Sequence, residues 1–545
     1  MQNLGETLMP VPRLKCNRLV IAVLWTASLV SLHLISLPGI ASPAQGNEAS
    51  KAKGDQQSRI IYVTIAGSEP AGSFGGVAYK RTWGTVSGVV APRDTIQGFD
   101  QLAHDADGNY PYQSEFEITA PEKPGTNTVI FIEAENRGTP VFLNALHEVA
   151  IGGPPSATTN GGDTGNGFLF AHATSYARVQ WQPGVAESVP MAAEGVGEVI
   201  IRDFGRMLAG RTPLNPKPTL DFGTYHTRIL GGVSLSGFFA NTFIAEGFNA
   251  DPVDGTAVYQ GAIAVDGTGN WLALNELASQ VGAKEFPYVV PDAKPLNASE
   301  ILSGHLSDPF YIDIANYTDF YRLRASITDV APKNPRMRRY DWPSAHAPAP
   351  IDQSGISSRA GRCNGGVVID LNPIPHSAYL RAVTLELEHE LKVPSAKGAP
   401  SLPPSTLFEL DPDPVPSKMP NVNHLPGVRI YLPLVDEDAQ PIGGVRFPDV
   451  EHPVGRAVPP SLPPVTTASI EATCGNLGGW QQFSAEELTK RYGSEANYLK
   501  IYGESVDRQI AAGFLLASDR DAMLRTAAAL YNRHPAVTAQ SAGQR

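Results

Sequence analysis

The chain has 545 residues, 42% hydrophobic and only 18% charged, with a formal net charge of −12. That length allows one large domain with additions, or two to three domains. The acidic balance and the lack of lysine- or arginine-rich runs argue against nucleic acid as a partner. The 52 glycines and 47 prolines point to many turns and long ordered loops, short of a disordered composition.

In chain order, residues 1–44 read as an export signal. Arg13, Lys15 and Arg18 form a positive region, "LVIAVLWTASLVSLHLISLPGI" follows, and "ASPAQ" offers small residues for cleavage after Ala41 or Ala44. A retained anchor is the alternative, since the apolar stretch is long enough to span a bilayer. His33, Pro38 and the small-residue exit favour cleavage, which leaves no stable membrane insertion and a periplasmic or secreted product. Cys16 lies before the apolar stretch, away from the junction that a lipid-modified N-terminus needs. Residues 45–58 read as a polar linker. Export would place Cys363 and Cys474 in an oxidising compartment, where a disulfide is expected. Two separate buried thiols are the alternative.

Residues 59–130 carry short runs, "RIIYVTIAG", "GTVSGVV", "YQSEFEITA" and "NTVIFIEAE", that read as consecutive β-strands. Over 131–398 strands alternate with helices. "YARVQWQ" is a strand, and 193–210 ends in a helix with a Gly C-cap. "TRILGGVS" is a strand, "GFFANTFIAEGFN" a helix and "AVYQGAIAVDG" a strand. This alternation predicts an α/β fold with a mainly parallel sheet covered on both faces, behind an N-terminal antiparallel β extension. "SAYLRAVTLELEHEL" (377–391) is a helix, with Leu380, Val383, Leu387 and Leu391 at three- and four-residue steps. Residues 399–530 form a C-terminal helical and proline-rich extension. The stretch 399–425 is expected as an extended ordered strap, or alternatively as a linker. Leu499, Tyr502, Val506 and Ile510 share a helical face and are expected to pack on the main body. Residues 531–545 form a tail.

"GGVSLSG", residues 231–237, places two serines among glycines. A serine nucleophile on a sharp strand–turn–helix elbow needs small residues two before and two after it, because the strand and helix backbones pass close there. Ser234 meets this with Gly232 and Ser236. Ser236 would put Phe238 at the crowded position. Ser234 is therefore the expected nucleophile, with the Leu235 N–H aimed at the developing oxyanion. A Gly-rich turn is the bland alternative.

Such a serine needs a base and a residue to orient it, in the chain order Ser, acid, His. Among His305, His346, His376, His389, His424, His452 and His534, only His346 follows a strand-like run ("RMRRYDW") into a loop. His376 reads as a helix-start cap or surface residue, and His389 as solvated. Asp319 follows the strand-like run 309–315 and is the expected acid. Asp266, ending the preceding strand, is its rival, although its Asp-Gly pair is equally a turn signal. Asp313 lies inside the run and reads as structural. The N–H groups of Asn136, Arg137 and Gly138, in the loop after "VIFIEA", are candidates for a second oxyanion donor. A simple turn explains "ENRG" equally well.

Together these segments resemble the large bacterial "alpha/beta hydrolase domain" proteins, whose nucleophile region reads Gly-x-Ser-Gln-Ser-Gly before a helix ending near Gly-Phe-Asn. The segments that carry the resemblance are "GGVSLSGFFANTFIAEGFNAD", "ENRGT", "YTDFYRLRAS", "DWPSAHAPAP", "CGNLGGW" and "RYGSEANYLKIYGESVDRQIAAGFLL". It runs from about residue 59 to 530, and implies an α/β-hydrolase fold in which the strap and C-terminal helices belong to one hydrolase unit. The departures are Leu235 for Gln, Phe238 for Arg, Asp319 for Glu and Ala347 for Gly. They leave the triad's chemical groups in place and imply an altered pocket.

The expected function is an exported serine hydrolase, most simply a carboxylesterase acting on a small-molecule ester through Ser234, Asp319 and His346, without metal or organic cofactor. An amidase or peptidase on the same residues and a non-catalytic binding protein are the competitors. Phe238, Phe239, Trp271 and Trp342 hint at an apolar acyl or aryl pocket, although plain core explains them better. The sequence does not specify oligomeric state.

Overall fold

The strand–helix alternation folds into a nine-stranded sheet of order β1-β2-β3-β5-β4-β6-β7-β8-β9. The computed structural model describes residues 57–94, 96, 98–125, 127–148, 164–190, 193, 195–216, 218, 221–268, 298–322, 325–326, 331–346, 371–392, 402–413, 415–416, 429–458 and 478–533. The expected signal segment, Cys363, Cys474, Trp271 and Ala347 lie outside these residues.

β1 (Arg59–Phe74), β2 (Val77–Val90) and β3 (Tyr110–Pro121) form an antiparallel meander. β1 is longer than the sequence suggests. It runs through Pro70 and Gly72 to a turn at Gly75 and Gly76, both with positive φ. The irregular pairing at these points lets a proline and a glycine sit in an edge strand.

β3 pairs antiparallel with β5 (Thr174–Val179). From there the sheet is parallel: β5, β4 (Val129–Glu133), β6 (Thr227–Val233), β7 (Gly261–Val265), β8 (Phe310–Asn316) and β9 (Met337–Trp342). Parallel strands buried on both faces read as unbroken apolar runs, as "VIFIE" and "GAIAV" do.

Successive side chains alternate between two cores. Ile130, Ile132, Leu230, Ala262 and Ala264 pack on one face, against helix α3 (Val196–Leu208) and helix α4 (Leu235–Ala245). Val129, Phe131, Ile229, Ile263 and Ile312 pack on the other, with residues of α1 (Val141–His147), α2 (Phe168–Ala171) and the helix Ser377–Lys392. This second core also takes in Tyr502 and Val506, with Leu499 and Ile510 packed against it. The helix Glu495–Ala511 thus lies on the main body by the face its spacing marks out.

The described part of the strap, 402–413, runs beside β9. Thr406 N–H donates to the Arg339 carbonyl at 3.1 Å, and Asp341 N–H to that of Thr406 at 3.0 Å. It covers an edge that would otherwise present unpaired backbone groups.

Candidate active site

β6 ends at Val233 and α4 begins at Leu235, so Ser234 alone makes the turn between strand and helix. Its backbone sits at φ 59° and ψ −118°, a conformation costing about 1–3 kcal/mol for a residue with a side chain. Backbone bonds on either side hold it: Ser234 N–H donates to the Val265 carbonyl at 2.9 Å, and Phe238 N–H to the Ser234 carbonyl at 3.0 Å. The crowding inferred from the motif is present. A Cβ on Gly232 would lie 2.1 Å from the Ser236 carbonyl oxygen, and one on Gly237 would lie 2.6 Å from that of Val265.

The two serines sit in different surroundings. Ser236 is buried, and its Oγ accepts from Val233 N–H at 2.9 Å and donates to the Val233 carbonyl at 3.0 Å. Its hydroxyl ties the first turn of α4 back to β6. Ser234 is half-buried.

Asp266 directly follows β7, Asp319 lies three residues past β8 and His346 four past β9. All three therefore lie with Ser234 at the C-terminal ends of neighbouring parallel strands, where open α/β sheets build their sites. His346 Nδ1 lies 3.1 Å from Asp319 Oδ1 and 3.2 Å from Asp266 Oδ2. The expected acid and its rival thus meet the same ring nitrogen. Burial alone would raise the Asp319 carboxyl, but its bonds to His346, Asp266 and the Asn316 N–H hold it below the usual carboxylate range.

Asp313 does not reach this cluster. It pairs with Arg339 at 2.5 Å, and Arg339 bonds Asp341 at 2.8 Å, all fully buried between β8 and β9.

Residues 167–525 match a sequence model described as "Alpha/beta hydrolase domain". The chain belongs to that family. A search of curated proteins finds no match. Similar solved structures include a glucuronoyl esterase from Solibacter usitatus, at 11% identity and a TM-score of 0.28 over 51% of this chain and 70% of that one. A CE15 glucuronoyl esterase from Teredinibacter turnerae matches at 11% and 0.28, over 49% and 66%. Est1E from Butyrivibrio proteoclasticus matches at 12% and 0.24, over 44% and 86%.

In this alpha/beta hydrolase domain, the loop after β4 lies against the elbow. Asn136 Nδ2 donates to the Val233 carbonyl at 3.0 Å, and Ala134 N–H to that of Gly231 at 2.9 Å. The structure narrows the three donor candidates. Asn136 N–H is engaged with the Thr139 carbonyl at 2.9 Å, and Arg137 N–H donates to Gln182 Oε1 at 2.9 Å. Asn136 therefore serves through its side chain, as a tie, rather than through its backbone. Leu235 N–H lies in the first turn of α4, where a helix leaves its donors without intrahelical partners.

His376 stands directly before the helix Ser377–Lys392, its carbonyl accepting from Leu380 N–H at 2.9 Å, as a capping position does. The surface alternative is corrected: it is buried, with Nδ1 3.4 Å from Ser344 Oγ. Burial, together with the charge of His346 nearby, pushes it down to about 4. His389 is exposed, as read. Phe238, Phe239 and Trp342 are fully buried. Phe239 packs at a tilt against Trp181, and Trp342 packs by His376, Tyr379 and Phe447, so these aromatics are core.

Two groups near the site escape the sequence reading. Asn316 ends β8 and contacts both acids (below). Glu133 ends β4, fully buried, and accepts from Phe142 N–H, Leu143 N–H and Tyr176 OH. Burial raises it to about 8 against those bonds. In both cases the available signal was a polar residue closing an otherwise apolar strand.

Asp266, Asp319 and His346 present ligand atoms within 4.8 Å of one another, close enough for a cation among the described residues. Asn316 donates one N–H to each carboxylate, at Asp319 Oδ2 and Asp266 Oδ1, and His346 Nδ1 is itself hydrogen-bonded to Asp319 Oδ1.

Proposed function

We propose that this alpha/beta hydrolase domain protein is an exported serine hydrolase acting on carboxylic esters. Ser234 Oγ attacks the ester carbonyl carbon and passes its proton to His346 Nε2. His346 Nδ1–H is held by Asp319 throughout, which stabilises the imidazolium as it forms. The tetrahedral oxyanion takes hydrogen bonds from Leu235 N–H and from Gly138 N–H, the loop candidate that remains after Asn136 and Arg137. Collapse breaks the ester C–O bond, and His346 returns the proton to the leaving alcohol. Water then repeats the sequence on the acyl-serine.

The observation that carries this reading is the strained backbone of Ser234 at a strand–helix junction. Strain of this kind persists where the surrounding structure fixes it, and it gathers at functional sites. The His346–Asp319 contact on the same sheet rim supports it. Export rests on the positive region and apolar run of residues 13–40, with cleavage near Ala41 or Ala44, and N-terminal sequencing of the secreted product checks it.

Paired aryl esters and aryl amides of one acyl group test the activity. Hydrolysis of the ester series, absent in Ser234→Ala, is the expected result. Preferential cleavage of the amides would assign an amidase instead. Turnover of neither, by folded protein, would point to a binding function.

A further inference from the structure

Asp266 adopts φ 57° at the end of β7 and is fully buried. Its backbone is anchored to the next strand, the Asp266 N–H donating to the Ile314 carbonyl at 2.7 Å. Asn316 grips both acids at once: its backbone N–H donates to Asp319 Oδ2 at 2.9 Å, and its Nδ2 to Asp266 Oδ1 at 2.6 Å. The Asp266 carboxylate fixes the orientation of that amide, because it only accepts and so requires the nitrogen. Asn316 Oδ1 then faces Ser344 Oγ, which donates to it at 2.5 Å. His376 Nδ1, 3.4 Å from the same hydroxyl, closes the chain.

A turn residue that served only its loop would not need a carboxylate at 3.2 Å from His346 Nδ1, with a dedicated amide behind it. We propose that Asp266 is a second positioning carboxylate for His346, and that Asn316 is the clamp that keeps both acids on one ring nitrogen. The proposal rests on the serine-hydrolase reading above. His346 Nδ1–H bonds Asp319 Oδ1 at 3.1 Å, and Asp266 Oδ2 stands 3.2 Å from the same nitrogen as a second anion, so a carboxylate remains at Nδ1 to orient the ring when either acid is lost. Ligand oxygens of Asp266 and Asp319 also lie within 4.8 Å of one another, and two carboxylates that close repel as anions. Positive charge arising on His346 relieves that conflict, so the pair favours the imidazolium more than one acid would. The titratable groups facing the ring are Asp266 from the end of β7, Asp319 from the turn after β8, and His376 from the start of the helix Ser377–Lys392.

The test is the rate at which a fluorophosphonate phosphonylates Ser234, with loss of fluoride, as a function of pH. It compares wild type, Asp266→Asn, Asp319→Asn, the double variant and Asn316→Ala, with Ser234→Ala as the blank. Each single Asp variant is expected to lose about ten-fold. The double variant is expected to lose about ten-thousand-fold, the scale of a triad deprived of its orienting acid. Asp266→Asn should move the acid limb of the profile about one unit lower, because an imidazole that loses a nearby anion binds its proton less tightly. Asn316→Ala leaves the backbone N–H on Asp319 and removes the support of Asp266, together with the acceptor of Ser344 Oγ. It should move the limb the same way, and it decides the matter if Asp266→Asn does not fold, as melting curves will show. Phosphonylation of Ser234 with wild-type rate and limb in these variants would overturn the second-carboxylate assignment alone. No phosphonylation in wild type, or phosphonylation that survives Ser234→Ala, would overturn the hydrolase reading and this proposal with it.

Discussion

Asn136 Nδ2 donates to the Val233 carbonyl at 3.0 Å, joining the loop after β4 to the last residue before Ser234. The oxyanion side of the site and the elbow are thereby one mechanical unit. Asn136→Ala removes the tie without adding bulk. The expected outcome is a fall in kcat of about ten- to a hundred-fold with KM nearly unchanged, because oxyanion donors act mainly in the transition state. Steady-state kinetics on an aryl ester check it.

Gly232 stands where any side chain meets backbone. A Cβ there would lie 2.1 Å from the Ser236 carbonyl oxygen, and no flexible side chain is available to yield. Gly232→Ala should lose about 2–4 kcal/mol of stability and most activity, because the elbow must open to admit it. Urea unfolding with activity measured alongside reads both effects.

The elbow shows how much of the site was legible. Gly232, Ser234 and Ser236 follow from a local rule of backbone crowding, and local rules are written in neighbouring residues. The strand ends carrying Asp319 and His346 follow from periodicity and chain order. What could not be read was which acid faces His346. Asp266 and Asp319 both end parallel strands, and only the stagger of β7, β8 and β9 brings both carboxylates to Nδ1. Asn316 was illegible for the same reason: its partners are 50 residues upstream and 28 downstream. His376 was legible as a helix start, but its burial was not, because that depends on Trp342 and Ser344 at the end of β9. The engaged N–H of Arg137 depends on Gln182, 45 residues away.

Arg178 lies in a row of alternating charges across the sheet, Glu69, Arg81, Glu117, Arg178 and Glu135, with contacts of 3.1, 2.7, 3.0 and 2.7 Å. It also reaches the Gly138 carbonyl at 3.4 Å. Arg178→Met would leave two largely buried carboxylates without their shared cation, at a cost of about 3 kcal/mol, and would loosen the loop that Asn136 ties down. A lowered melting temperature with a lowered kcat is expected. Arg178→Lys should recover stability only in part, since one ammonium cannot reproduce the fork.

His376 and His147 are both buried and both held down to about 4 from 6.5. Burial is the main cause, so each stays neutral in the folded protein while the unfolded chain takes up its proton below 6.5. The stability they contribute is complete above pH 6.5 and is lost as pH falls from 6.5 toward 4. By linkage each accounts for up to about 3 kcal/mol over that window. The difference in unfolding free energy between wild type and His376→Gln, measured at pH 7 and pH 4.5, should shrink at the lower pH by about 2–3 kcal/mol.

The central claim is that Ser234, and not Ser236, is the nucleophile. Labelling of the purified mature protein with a fluorophosphonate, beside Ser234→Ala and Ser236→Ala, tests it most directly. The account predicts that wild type labels, that Ser234→Ala does not, and that Ser236→Ala labels while melting lower, because its hydroxyl serves Val233. Labelling lost in a folded Ser236→Ala but kept in Ser234→Ala would contradict it.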